Sequence, residues 1–419
     1  MKVLWITNNM LPELAEHLGV STSASGSWLV DMSQRLADGD DCELAVACVS
    51  GKEYRCIELN NTRYYLLPGN GKNMLFYTKK YEKIWNTVVS DFKPDVIHIH
   101  GTEYSHGLAC MRALPNEKYI LSIQGVLNRI KDVDFGGLSF FDALVNRTFR
   151  ENTRFNGMIE MHWLHKKNAK HEREMIMRAK YANCVNDWDT SLVNEINPSV
   201  KVYRVEYNLR DSFYSAKKWS ADEMIAHSIF TNPGGTPLKG IHNLFRALAL
   251  VKPKYPDAKL YIPGMGSEKG TLNITSGYTK YLSKLVKKLN LTDNIVFLGR
   301  QSGEQMMQLM RNANVVVVPS AIEGTSLVLR EAMYLGCPCI ASFRGGMADF
   351  ISDKVDGYLY DYQEYSYLAN RIMQVFEDKN ISEMSKKAIE KAEKAHDCNA
   401  NYIKTVEMYR DVISTEDIC

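Results

Sequence analysis

Two glutamates, Glu323 and Glu331, flank a stretch that reads as the start of a short helix. Ionised carboxylates accept hydrogen bonds in pairs, which suits a ligand rich in hydroxyls. Between them Thr325 and Ser326 can cap a helix, and the backbone N–H groups of Thr325, Ser326 and Leu327 at its start have no intrahelical partner. Those groups and the helix dipole favour an anion. A third group, Lys239, closes the run Asn232-Pro233-Gly234-Gly235-Thr236-Pro237-Leu238-Lys239-Gly240, ahead of apolar Ile241, Leu244, Phe245 and Leu248 at helical spacing. A cation at a helix start opposes the dipole unless a bound anion lies between them. Together these residues fit a diphosphate joined to a polyol. Singly, each has a plainer reading as a solvated helix glutamate, a loop acid and a loop lysine.

The elements that must position them follow one pattern. Short apolar segments, Val3–Thr7, Glu43–Cys48, Val96–Ile99, Tyr119–Ile123 and Ala182–Val185, alternate with helical stretches. A second set follows: Ser228–Thr231, Lys259–Ile262, Ile295–Leu298, Val315–Val318 and Cys339–Ser342. Such alternation builds doubly wound parallel sheets, whose ligands sit outside the carboxyl ends of the strands. The β-branched run Val315–Val318 is closed by Pro319 and Ser320; Gly336 and Pro338 end the helix after it. A polar segment, Arg210 to Ala226, separates the two sets. We therefore expect an α/β chain of two Rossmann-like domains, residues 1–212 and 213–395, facing across a crevice.

The stretch Pro319 to Gly346 reads P-S-x-x-E-G-x-x-L-x-x-x-E-A-M-x-x-G-x-P-x-I-A-S-x-x-G-G. It resembles the donor-site signature of family 4 retaining glycosyltransferases, which have the GT-B fold. The likeness extends more weakly over nearly the whole chain, from Met1–Asn8 through Asp95–Gly101, and is strongest to enzymes that make bacterial capsule and other surface polysaccharides. The resemblance implies that Lys239 contacts the donor diphosphate, that Glu323 faces the sugar and that Glu331 holds ribose hydroxyls. It further implies that Gly235, Gly324, Thr325, Ser326 and Leu327 line the donor, that the backbone of Gly299-Arg300 reads the nucleotide base, and that the loop around Gly26 faces donor phosphate and acceptor. It implies a last helix, within 396–419, that crosses back to the first domain, and no metal or cofactor. The arginine that family members commonly carry just before the lysine is absent. Either backbone N–H groups or another cation, Arg300 or Arg344, supplies the second charge. Gln124 stands where many relatives have a histidine before a glycine; it hydrogen-bonds but cannot shuttle a proton.

His98 and His100 share one face of a strand, and Gly101-Thr102-Glu103 follows them toward the crevice. His98 reads as a core residue, and His100, with Gln124, as an acceptor contact. Asp187-Trp188-Asp189 mimics a metal-binding D-x-D but opens a helix, where aspartates cap.

The formal net charge of +2 on 419 residues argues against a general nucleic-acid binder. Nine cysteines at irregular spacing, with a start that runs straight into a strand, lead us to expect reduced thiols in the cytoplasm. No apolar run approaches the roughly 20 residues that span a bilayer. Arg150 to Lys180, placed in the first domain, is rich in Arg, Lys, Trp, Met and Phe; it reads either as a solvated face or as a surface for anionic lipid at the inner face of the plasma membrane.

The expected function is transfer of a hexose or related sugar from a nucleoside diphosphate, such as a UDP-sugar, to a saccharide, on a polyprenyl-diphosphate-linked oligosaccharide. Lys239, Glu323 and Gln124 are the candidate catalytic groups. Retention in the family is explained by same-face attack assisted by the leaving phosphate or by double displacement through Glu323. Alternatives on the same fold are a nucleotide-sugar epimerase, a phosphorylase, or a noncatalytic nucleotide-sugar-binding subunit of an assembly complex.

Overall fold

The computed structural model of the protein describes residues 1–20, 27–70, 74–232, 234–267 and 270–415. The chain divides into two compact units. The first holds Met1–Asn128, Lys166–Asp211 and His396–Cys419, and the second Arg129–His165 and Ser212–Ala395.

The first unit is built on β1 (Lys2–Thr7), β2 (Glu43–Val49), β3 (Arg55–Leu59), β4 (Thr62–Leu67), β5 (Val96–His100), β6 (Tyr119–Ser122), β7 (Tyr181–Asn183) and β8 (Lys201–Tyr203), in the order β3-β4-β2-β1-β5-β6-β7-β8. Every pairing is parallel except β3 with β4, an antiparallel hairpin turned by Asn60 and Asn61, both at positive φ. That Asn-Asn pair meets the left-handed demand of a two-residue turn; the sequence reading passed over the hairpin. The central strands are apolar on both faces, and their alternation splits the core. Leu4, Ile6, Ala45 and Ala47 pack with Trp85, Val88, Phe92 and Leu108. Val3, Trp5, Leu44 and Val46 pack on the other face with Val406, Met408, Tyr409 and Val412 of the helix Cys398–Ser414. The C-terminal helix is thus part of the first unit, held by Trp5 Nε1 donating to Tyr409 Oη at 2.8 Å.

The second unit has β9 (Ile225–Phe230), β10 (Lys259–Ile262), β11 (Ile295–Phe297), β12 (Ala313–Val318), β13 (Cys339–Ser342) and β14 (Tyr358–Tyr360), ordered β11-β10-β9-β12-β13-β14 and parallel throughout. All six side chains of β12 are buried, as its unbroken apolar run requires. Strand β14 was not among the expected strands.

One segment differs from expectation. Residues 129–165, which the sequence reading placed in the first domain, belong to the second unit. The reason is polar anchoring. The Gly136 carbonyl accepts from His242 Nε2 and from Tyr362 Oη, each at 2.8 Å. The Glu151 carboxylate accepts the Gly277 N–H at 2.8 Å. His242 is fully buried between Gly136 and Tyr278 Oη, and burial lowers its pKa to about 4, so it serves as a neutral linker.

Candidate functional site

In the second unit the predicted donor residues gather at the carboxyl ends of β9 and β12, which are adjacent strands. After β9 the chain passes Gly234 and the exposed Gly235, turns through a single 3-10 turn, Pro237–Lys239, and enters the helix Ile241–Val251 at Gly240. Gly240 has φ +69, and a Cβ there would run into the Pro319 carbonyl at the end of β12. Only glycine permits that approach. The Ala321 N–H then donates to the Leu238 carbonyl at 2.7 Å, zipping the two loops together.

This contact carries Lys239 onto Glu323. Lys239 Nζ pairs with Glu323 Oε1, and Ser320 Oγ donates to the same oxygen at 2.9 Å. The backbone of Glu323 is fixed from the other side, where Gly346 N–H donates to its carbonyl at 2.9 Å. Gly345 sits at φ +70 with its α-carbon against that carbonyl, so a side chain there would collide with it. The paired glycines that close the motif therefore position Glu323.

The helix Leu327–Leu335 begins at Ser326, whose Oγ accepts the Leu329 N–H, and ends at Gly336 with φ +83. Of the two candidate caps, Ser326 takes the role. Thr325 Oγ1 is buried without a hydrogen-bond partner, a donor and acceptor left for something else at the helix start. Gly324 is buried in the turn before it. Glu331 lies on this helix and is buried. After β11, the Gly299 carbonyl accepts from Gly264 N–H at 3.0 Å, tying the β10 and β11 loops, and Arg300 is exposed next to it. Arg344 is held by Asp361 at 2.9 Å on the surface. Gly26 lies outside the described residues.

In the first unit, His98 is a satisfied core residue. Its Nδ1 meets Tyr409 Oη at 2.8 Å and its Nε2 meets Ser122 Oγ at 2.7 Å, and burial lowers its pKa to about 3. His100 is also buried, its ring 3.9 Å from that of His98 and 4.4 Å from that of Trp5. Neither ring nitrogen has a partner, and it lines a cavity of about 30 Å³ with Trp28, Asn183 and Tyr207. The volume is that of about one water molecule. His100 therefore meets a cavity that it shares with His98, Ser122 and Tyr409.

Gln124 lies at the carboxyl end of β6, its Nε2 buried and unpartnered. Beside it is a residue to which the sequence reading gave no role. Glu103, after β5, accepts from the Gly125 N–H at 2.6 Å and from Asn8 Nδ2 at 3.3 Å. Burial, aided by the like charge of Glu172, raises its pKa to about 7. Glu172 itself is saturated, accepting from Thr102 Oγ1, from the N–H groups of Leu127 and Asn128 and from Asn128 Nδ2. Gly101, Glu103, Gln124 and Gly125 crowd so closely that a Cβ on either glycine would meet the Glu103 carboxylate. The signal for Glu103 was its place directly after a strand, opposite Gln124.

The D-x-D run is a helix start. Asn186 is the cap, accepting from Asp189 N–H at 2.7 Å, and Asp187 pairs with Arg204. Among the described residues no group of three His, Cys, Asp or Glu is placed to hold a metal ion, and no helix is long and apolar enough to cross a membrane.

Residues 234–395 match the family model for glycosyl transferases group 1. A D-inositol 3-phosphate glycosyltransferase of Mycolicibacterium smegmatis is 32% identical over 180 residues, covering 42% of this chain and 39% of that protein. The chain spans less than half the length of the first curated relatives it matches. Among solved structures, sucrose-phosphate synthase of Thermosynechococcus elongatus aligns over 99% of this chain and all of its own with a TM-score of 0.75 at 17% identity. Anabaena HepE in complex with UDP-glucose aligns over 98% of this chain and all of its own with a TM-score of 0.68 at 17% identity. The fold is GT-B, two parallel-sheet α/β domains, and the likeness to glycosyltransferases read from the Pro319–Gly346 motif is met by the group 1 family model, whose matched residues 234–395 contain that motif.

Proposed function

We propose that this chain, which carries a group 1 glycosyl transferase domain over residues 234–395, is a retaining glycosyltransferase that moves a hexose or related sugar from a nucleoside diphosphate to a saccharide hydroxyl. The observation that carries the reading is the contact of Lys239 with Glu323 beside the start of the helix Leu327–Leu335. A diphosphate at that helix start would meet backbone N–H groups, the unpartnered Thr325 Oγ1 and the Lys239 ammonium. These are donors fixed in advance where negative charge grows as the glycosidic bond to phosphate breaks. Glu323, pinned by Ser320 and Gly346, would contact the sugar, and Glu331 would take ribose hydroxyls. The second positive group is supplied by Arg300, by Arg344, which now pairs with Asp361, or by backbone N–H groups.

On this reading attack comes from the face the leaving phosphate vacates, and the diphosphate, not a protein carboxylate, helps remove the proton of the attacking hydroxyl. Catalysis proceeds without a metal ion. UDP is the nucleotide favoured, since HepE, of the same fold, was solved with UDP-glucose. The acceptor is a polyprenyl-diphosphate-linked oligosaccharide in surface polysaccharide assembly, met at the inner face of the plasma membrane. Gln124 and Glu103 in the first unit are its candidate contacts.

Calorimetry of the purified chain against UDP-, GDP- and ADP-sugars, with and without a chelator, tests the donor site. NMR of the product anomer with added acceptor tests retention. Chelator-resistant binding of one nucleotide family, followed by a retained anomer, is expected. An inverted product, or activity that vanishes with chelation, would refute the mechanism.

A further inference from the structure

The helices Phe140–Val145 and Phe149–Arg154, in the second unit, are built inside out. Phe140, Phe141, Leu144, Val145, Phe149 and Phe155 are 45% to 84% exposed, while the polar Asn146 and Glu151 are buried. A helix on a globular surface ordinarily turns its apolar stripe inward. Here hydrogen bonds forbid that. Capping boxes, Ser139 with Asp142 and Thr148 with Glu151, fix both helix starts. The second carboxylate oxygen of Glu151 takes the Gly277 N–H at 2.8 Å, and Asn146 Oδ1 accepts from Lys284 Nζ at 2.8 Å. Rolling the hairpin over to bury its phenylalanines would break all of these. Phe155 also holds a left-handed backbone, φ 50, which a bulky side chain rarely adopts, and remains exposed.

Charge narrows the occupant. The exposed charged side chains of residues 139–155 are Arg150 and Arg154. Of the acids, Asp142 is half-buried and engaged by the Ser139 N–H and hydroxyl, and Glu151 is buried. Lys280 and Lys284 reach the hairpin base from the helix Gly277–Lys288. An aromatic and aliphatic crest above a cationic base suits a layer with acyl chains inside and anionic headgroups outside.

We propose that residues 140–155 are a membrane-docking crest that inserts into the interface of an anionic bilayer. This moves the lipid contact from the Arg150–Lys180 helix face expected from sequence to a hairpin N-terminal to most of it. The inference goes beyond sugar transfer and does not require it, since vesicle binding is measured without turnover.

The test is co-sedimentation of the full chain with vesicles of phosphatidylcholine alone and of phosphatidylcholine mixed with phosphatidylglycerol. Binding to the anionic vesicles, weakened by salt, is expected. Phe141→Ser with Phe149→Ser should lower the partition coefficient by roughly tenfold or more through loss of insertion, and Arg150→Glu with Arg154→Glu should lower it and flatten its salt dependence. Both double variants should keep the wild-type melting temperature and the activity on a soluble acceptor. Absence of anionic-vesicle binding by the wild type, or equal binding by the variants, overturns the proposal. So does a dimer in sedimentation equilibrium that Phe141→Ser with Phe149→Ser abolishes, which would assign the crest to a second copy. Loss of nucleotide-sugar binding with vesicle binding intact would count against the proposed function alone.

Discussion

Without a donor, Lys239 and Glu323 neutralise each other, so a diphosphate that needs Lys239 must compete with Glu323 for it. This gives two single substitutions opposite signs in UDP binding. Lys239→Ala removes a charge-assisted contact, typically about 1.5–3 kcal/mol, which is roughly ten- to 150-fold in affinity. Glu323→Gln removes the competitor. The two side chains are 32% and 16% exposed, so the pair lies between a surface bridge and a buried one. The top of the surface range, about 1 kcal/mol, is therefore the working figure, and release of Lys239 should tighten UDP binding by about fivefold. Glu323→Gln should nevertheless reduce sugar transfer, because on the proposed reading the glutamate contacts the sugar and not the diphosphate. Calorimetry with UDP on the wild type, both single variants and the double variant closes a cycle that isolates the coupling. In the double variant the gain from Glu323→Gln should vanish, there being no ammonium to release. If both single variants weaken UDP alike, the pair is a structural brace and the donor assignment of Lys239 fails.

Glu331→Gln should weaken UDP and UMP to a similar degree, by roughly ten- to 100-fold, if its contact is with the ribose, whereas Lys239→Ala should spare UMP more than UDP; titration with both nucleotides checks this. The carboxyl of Glu103 has its pKa raised by burial from 4.5 to about 7, so the folded state holds a proton that the unfolded state releases between those values. Stability should therefore fall as pH rises through that window and level off above it, and Glu103→Gln should remove this slope in melting temperature against pH. Tyr409→Phe strips the Trp5 Nε1–H and His98 Nδ1 of their shared buried partner and should destabilise the first unit by about 1–3 kcal/mol in urea unfolding.

What could be read from the sequence depended on whether the signal was local. The strands from β1 to β13 that are buried on both faces announce themselves as short β-branched and apolar runs, and Gly336 and Pro338 punctuate the helix they follow. The Lys239–Glu323 contact has no such local mark. The two residues are 84 positions apart, and they meet because β9 and β12 pair while β10 and β11 lie to the far side of β9. Strand order is a property of the whole sheet, so only the resemblance to a family could bring those residues to one site beforehand. Glu103 was missed for a related reason: a Gly-Thr-Glu after a strand is common, and its raised pKa arises from burial and from Glu172, which a distant helix supplies.

Residues 129–165 show where pattern reading fails in kind. Their apolar and basic side chains are legible, but their membership of the second unit and the outward turn of their phenylalanines are not. Periodicity says that a helix face is apolar; it does not say what covers that face. The deciding facts are the polar ones: the Gly136 carbonyl, Asn146 and Glu151 all find partners in the second unit, and by doing so they leave Phe140, Phe141, Phe149 and Phe155 facing outward. A hairpin held by its hydrogen bonds with its phenylalanines in water bears a cost that ordinary packing would have avoided. That cost is recovered if a lipid layer covers the crest, which is why the exposure of these residues, and not their sequence, carries the argument for a membrane.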